Sequence, residues 1–443
     1  MMNDTATQNA GNADHAGAAL NPASPQTGPV PVSPLVQFPR TDGSRTPYKV
    51  FSSQEVYELE QERIFRGPVW SFLALEAEIP LNGDFKSTFV GDTPVVVTRT
   101  EDGSLAAWVN KCAHRGAMVV RTPRGNAMSH SCAYHQWSFS AHGDLQGLPF
   151  RRGQKGIAGM AKDFDPKEHG LRKLRVESYR GLVFATFSDT VESLSDYIGA
   201  EMRPWIDRIF HKPIVYLGCT RQYSKSNWKL YLENVKDPYH ASLLHLFHTT
   251  FNIFRVGMKA RSLPDKRHGL HSIITATKNE DETGDAYKQQ AIRSFDEGFA
   301  LEDVSVLGQI KEYEEMTTNH IQPIFPQLVV QQIHNTLVAR QLLAKGPDNF
   351  ELIFHFFGYE DDTPEMRALR IKQANLVGPA GYISMEDTEA TELVQRGTAR
   401  DPEDCSVMDM AKDSPDQEDT LITESLIRKF WRGYQKLMGF EQI

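Results

Sequence analysis

Cys112-Ala113-His114-Arg115-Gly116 and Cys132-Ala133-Tyr134-His135-Gln136-Trp137 are the two runs on which the fold turns, with seventeen residues between His114 and Cys132. Each run offers one thiolate and one imidazole. Two cysteines and two histidines can make a tetrahedral zinc site. They can also ligate a two-iron two-sulfur cluster in which the cysteines hold one iron and the histidines the other. Zinc ligands are ordinarily spaced more widely than Cys112 and His114, which are separated by one residue. The spacing therefore favours the two-iron arrangement, where close neighbours serve different irons. Tyr134 and Trp137 read as packing around the site. The chain has only four cysteines, Cys219 and Cys405 being the others, too few for a disulfide framework and suited to a reducing compartment.

Outward from this pair, Val69 to Asn110 holds short β-rich runs such as Pro94-Val95-Val96-Val97-Thr98, punctuated by turns at Gly91-Asp92 and Asp102-Gly103. Asn227 to His248 reads as helix, broken by Pro238, with Asp237 capping a second helix that has Pro238 at its first position. Leu328 to Leu343 and Glu351 to Tyr359 read as strand, and Thr420 to Met438 as an amphipathic helix ended by Gly439. The expected class is α+β. The predicted domains are a disordered tail over 1–45, a small sheet domain over 65–183, and a larger domain from 46–64 and 184–443.

The net charge is −9, which argues against nucleic acid as a partner. Residues 111–180 nevertheless hold thirteen Lys or Arg against five Asp or Glu, a surface suited to an acidic protein. No apolar run approaches membrane-spanning length and the N-terminus lacks the order of a signal peptide, so no membrane association and a cytoplasmic location are expected. The sequence has no dinucleotide-binding fingerprint or phosphate loop, leaving direct nicotinamide or flavin binding unsupported.

The extended pattern Cys-x-His-Arg-Gly…Cys-x-Tyr-His-x-Trp resembles the Rieske family. Asp237-x-Tyr239-His240-x4-His245, preceded by Asn227-Trp228-Lys229 and Glu233-Asn234, resembles the iron-binding segment of ring-hydroxylating oxygenase large subunits. From the residues alone, a five-residue step turns about 140° on a helix of ~3.6 residues per turn, so the imidazoles converge only if the helix is interrupted; Pro238 is the candidate break. The resemblance implies an antiparallel β Rieske domain, with Cys112, His114, Cys132 and His135 holding one [2Fe-2S] cluster. It also implies a helix-grip (START-like) catalytic domain with an antiparallel sheet and a long C-terminal helix.

In that second domain the resemblance assigns His240, His245 and Asp387, within Gly378-Pro-Ala-Gly-Tyr-Ile-Ser-Met-Glu386-Asp387, to one mononuclear Fe(II). Glu386 is the alternative carboxylate. His248 competes with His245 but is read as a packed or surface histidine. Asp237 is implied to bridge a cluster histidine of a neighbouring subunit and an iron-ligating histidine, and Asn234 to lie near the iron.

The likeness is greatest to oxygenases of aromatic carboxylates (anthranilate, salicylate, 2-halobenzoates, terephthalate). It implies dioxygen as co-substrate, a small (beta) subunit, an alpha3 or alpha3beta3 oligomer, and electrons from NAD(P)H through a flavin reductase and a ferredoxin. Arg340 is the predicted anchor of the substrate carboxylate, since a guanidinium fixes the carboxylate plane through two parallel hydrogen bonds. Asp419-Thr420-Leu421 offers no second cation, which favours an ortho-substituted benzoate over terephthalate. The alternatives are a terephthalate dioxygenase-type subunit and, in a different class, a Rieske electron-transfer protein without oxygenase activity; dihydroxylation by a dioxygenase is expected, with monooxygenation or demethylation left open because the outcome depends on substrate pose over one iron.

Overall fold

The computed structural model describes residues 31–278, 283–313, 317–414 and 417–440. A first antiparallel sheet runs, neighbour to neighbour, Ser71–Leu75, Leu182–Thr186, Lys173–Tyr179, Leu105–Val109, Thr93–Arg99, Asp84–Val90 and Arg124–Asn126. Its central hairpin pairs Val90 with Thr93, and Gly91 in that turn has φ +56°, a left-handed conformation open to glycine. Space demands glycine as well, since a Cβ there would lie 2.1 Å from Gln61 Oε1. A three-stranded sheet, Ser129–Ser131, Ser138–Ser140 and Leu145–Gly147, closes over a separate core in which Trp108, Phe139 and Val96 surround Cys112 and Cys132.

The second sheet runs Ile214–Ser224, Phe350–Tyr359, Thr336–Ala344, Leu328–Ile333, Thr317–Ile324, Ser272–Thr277 and Lys259–Pro264, every pair antiparallel. The expected strand Leu328 to Leu343 is two strands, because His334 (φ +51°) and Asn335 form a tight turn between them. The long strands are buried on both faces. The helix Pro364–Val377 covers three of them on one side, while Gln341 donates to the Phe72 carbonyl of the first sheet at 2.9 Å. At this seam the buried Glu78 carboxylate accepts from Lys86 at 2.9 Å and Arg124 at 2.5 Å, with His355 of the second sheet 3.4 Å away.

The C-terminal helix spans Ser425–Met438 and ends at Gly439, φ +63°. It begins later than expected from Thr420, because the Thr420 and Thr423 hydroxyls accept from the Ile422 and Ser425 amides and hold the chain in turns. The expected tail over 1–45 also needs correction. Residues 1–30 lie outside the described residues, but from residue 31 onward the chain packs onto the C-terminal helix. Val36 is buried, the Phe38 ring centroid is 6.2 Å from that of Trp431, and the Ser33 amide donates to the Gly439 carbonyl at 2.9 Å. Few apolar residues suffice here because a ready-made groove receives them.

One buried ion pair ties the early chain to the catalytic layer. Glu60, on the helix Gln54–Glu60, lies 2.6 Å from Lys229 Nζ, both side chains fully buried. The same carboxylate accepts from Trp228 Nε1 at 2.8 Å and Tyr434 Oη at 2.5 Å. Removing one partner of such a pair strands the other charge. Lys229→Met is expected to destabilise the fold by about 3–5 kcal/mol, measured as a lower urea midpoint; an unchanged midpoint would show that the pair is dispensable.

Candidate metal centres

Two loops of the first domain share one backbone plan. Gly116 donates its amide to the Cys112 carbonyl and Gln136 to the Cys132 carbonyl, and both donors have positive φ, +76° and +57°. The loops set both thiols inward, where Cys112 and Cys132 are buried, and both imidazoles outward. Burial pushes the Cys112 thiol pKa up, and the adjacent Cys132 adds to the rise. The His114 and His135 ring centroids lie 4.6 Å apart, and Trp137 stacks on His114 at 4.8 Å. Among the described residues, the single group of three or more possible ligands gathered within 4.8 Å of one another lies elsewhere. The four Cys and His donors therefore do not converge on one ion as zinc requires. Paired thiols on one side and paired imidazoles on the other fit a two-iron cluster.

The convergent group is His240, His245 and Asp387. Asn227 caps the helix Trp228–Asn234, which delivers Asn234. Asp237 caps Pro238–Leu244 by accepting from the Tyr239 and His240 amides, as expected. The interruption that brings the imidazoles together is at His245 itself and not at Pro238. His245 is extended (φ −84°, ψ 103°) between Pro238–Leu244 and the helix Leu246–Thr250, and this bend undoes the unfavourable rotation. Pro238 precedes both histidines and only starts the helix.

Each imidazole has a carboxylate beside one nitrogen and faces Asp387 with the other. His245 Nδ1 lies 2.8 Å from Glu386 Oε2, and its Nε2 is 3.2 Å from Asp387 Oδ1. His240 Nδ1 lies 3.6 Å from Asp237 Oδ2, and its Nε2 is 3.3 Å from Asp387 Oδ1. Asn234 Nδ2 donates to Asp387 Oδ1 at 2.9 Å. Burial opposes ionisation of Asp387, but the two imidazoles outweigh it and hold its carboxyl well below the usual range. Burial likewise opposes a charged His240, yet Asp237 and Asp387 raise its pKa to about 10. Two imidazole Nε2 atoms and one carboxylate, with carboxylates behind both rings, suit a divalent iron with open positions. Glu386, the alternative ligand, instead orients His245 and accepts weakly from the Leu246 amide. Sequence reasoning missed this role, since adjacent carboxylates on a helix look equivalent until their partners are placed.

The metal group opens on a narrow cavity whose lining includes Arg340. Arg340 is buried and donates to Tyr231 Oη at 2.6 Å and to Gln331 Oε1. His248 also lines this cavity, buried, with neither ring nitrogen hydrogen-bonded to protein. Burial and the neighbouring His245 push its pKa well below the usual imidazole value, with Asp387 and, more weakly, the Ala241 backbone pulling the other way. The remaining wall is apolar, from Phe254, Ile274, Ile321 and Ile383. Its void is ≈ 30 Å³, roughly one water. A larger hollow of ≈ 380 Å³ lies at the domain seam beside Lys86 and Arg124, away from the metal group.

Comparison with known proteins follows the same division. The Rieske [2Fe-2S] domain family matches residues 69–163, and the ring hydroxylating alpha subunit (catalytic domain) family matches 215–439. The large subunit of anthranilate 1,2-dioxygenase from Burkholderia cepacia is 79% identical over 405 residues, 91% of this chain and 96% of that protein. Subunit alpha 2 of the terminal oxygenase component of a Comamonas terephthalate 1,2-dioxygenase is 44% identical over 92% of this chain and 98% of that one. The structure of a Rhodococcus naphthalene 1,2-dioxygenase bound to indole shares the fold, with TM-score 0.74 at 21% identity, covering 90% of this chain and 95% of that one.

If Glu386 supports His245 without ligating, Glu386→Ala is expected to weaken retention of the mononuclear iron about 10- to 100-fold while cluster iron and sulfide stay unchanged. Chelator titration with metal analysis checks this, and wild-type retention would contradict it.

Proposed function

The chain belongs to the large (alpha) subunits of Rieske-type ring-hydroxylating oxygenases, and on that premise we propose that it is the terminal oxygenase acting on an ortho-substituted benzoate, anthranilate foremost. Its cofactors are one Rieske [2Fe-2S] cluster and one mononuclear iron. In this reading Cys112, His114, Cys132 and His135 hold the first, and His240, His245 and Asp387 the second. When bound, the iron supplies open positions for dioxygen and the cluster supplies an electron.

The observation that carries the substrate class is Arg340. Its guanidinium is buried, yet both its hydrogen-bond partners, Tyr231 and Gln331, are neutral. Among the described residues no carboxylate lies within ion-pair distance of it, unlike buried Lys229 or Arg370. A buried cation without a counter-charge is costly, and a substrate carboxylate supplies one. Tyr231 and Gln331 hold the guanidinium plane, so the carboxylate fixes the aromatic ring in the cavity beside the metal group. Among the described residues, the cavity lining holds no Lys or Arg besides Arg340. Leu421 is buried in one cluster with Phe254 and Ile274, where a second carboxylate would need a cation. This supports a monocarboxylate over terephthalate, in line with the higher identity to the anthranilate enzyme.

Adding both atoms of dioxygen as hydroxyls to a ring takes two electrons and two protons from outside. The chain has no dinucleotide-binding fingerprint, so a flavin reductase fed by NAD(P)H and a ferredoxin deliver the electrons. The exposed Arg151, Arg152, Lys155 and Lys162 form the steering surface. The assembly is an alpha3 or alpha3beta3 oligomer with a small subunit. Asp237, whose side chain keeps 19% exposure while it faces His240, bridges to a cluster histidine of the next subunit. No helix among the described residues is long and apolar enough to cross a membrane.

Arg340→Leu is expected to raise KM for anthranilate about 10- to 1,000-fold, on the order of the ~2–4 kcal/mol lost when a buried charge loses its partner. Steady-state kinetics of the reconstituted system check this. An unchanged KM, or wild-type turnover of terephthalate faster than of any monocarboxylate, would contradict the assignment.

A further inference from the structure

His248 is the lining side chain that the metal group and Arg340 leave unexplained. The other polar side chains of the lining belong to the metal group or to the surroundings of Arg340: Asn234 donates to Asp387, and Arg340 donates to Gln331 and Tyr231. His248 is 2% exposed and has no protein hydrogen bond on either ring nitrogen. Buried polar groups are nearly always paired, and one that is not asks for a partner from outside the chain. Its ring is rigidly placed. It meets His245 edge-on at 4.8 Å between centroids and stacks against Phe254 at 5.7 Å, while its carbonyl accepts from the Ile253 and Phe254 amides. It is not drawn into the metal group, which comprises His240, His245 and Asp387.

Resting on the benzoate reading above, we propose that His248 is a specificity-determining residue that accepts a hydrogen bond from the amino group ortho to the substrate carboxylate. A neutral imidazole presents one acceptor nitrogen, and an aryl amine presents N–H donors. Arg340 and His248 line the same cavity, and in this proposal the carboxylate lies on Arg340 with the ortho substituent on His248. A hydrogen or halogen there leaves the imidazole unpaired. Sites built to hydrogen-bond a substrate group discriminate strongly against analogues that lack it. The cavity is thus selective for anthranilate over benzoate and 2-halobenzoates of similar size.

The test uses the full oxygenase with both metal centres loaded. By calorimetry, the wild type is expected to bind anthranilate at least about 10-fold more tightly than benzoate or 2-chlorobenzoate; equal affinities overturn the proposal without any variant. His248→Phe is expected to lower kcat/KM for anthranilate about 10- to 100-fold and to change that for benzoate by less than about 3-fold. His248→Gln, which keeps an acceptor, should recover part of the preference. An equal fall for both substrates, or no change for either, overturns the proposal. Failure of the benzoate reading looks different, since the wild type then hydroxylates no ortho-substituted benzoate at all.

Discussion

Asp387 is a buried carboxylate facing two imidazoles, and the rest of the catalytic domain is arranged around the cost of keeping it there. It sits on the helix Tyr382–Thr398 beside Glu386. The two adjacent acids take hold of His245 from opposite ends, Asp387 facing Nε2 and Glu386 facing Nδ1. Asn234 and His240 close the other side. Asn234 and His240 come from seven-residue helices whose N-termini are capped by the side chains of Asn227 and Asp237. The sheet and the buried Glu60–Lys229 pair act on this geometry by fixing the helix Trp228–Asn234 that delivers Asn234.

Much of this was legible in the residues. The one-residue gap between Cys112 and His114 separates a two-iron cluster from a single zinc, because ligand spacing is a local property. Asp237-Pro238 announces a helix start for the same reason. What was not legible depends on distant partners or on backbone angles. His240 and His245 converge through an extended residue at His245, where no glycine or proline marks the break. Glu386 and Asp387 differ only in where a neighbouring helix places His245. The packing of residues 31–45 was hidden because their few apolar residues dock on a groove made by the far end of the chain.

In the proposed reading, substrate recognition needs few groups once the walls are dry. One guanidinium without a counter-charge and one imidazole without a partner line the cavity beside the metal group and the apolar Phe254, Ile274, Ile321 and Ile383. In water either would be indifferent to a benzoate; buried, each contributes through the penalty for remaining unmatched. The sheet supplies Arg340 and Gln331, whereas the short helix after the break supplies His248. The bend that assembles the metal group therefore also precedes the short helix that places His248 in the cavity lining.

The central claim is that this chain brings dioxygen and an aromatic carboxylate together at one iron. Turnover of anthranilate by the reconstituted oxygenase under dioxygen enriched in heavy oxygen tests it most directly. The account predicts that both hydroxyl oxygens of the ring product carry the label, from a single dioxygen molecule. Label in one hydroxyl only, hydroxyls derived from water, or no consumption of any aromatic carboxylate would contradict it.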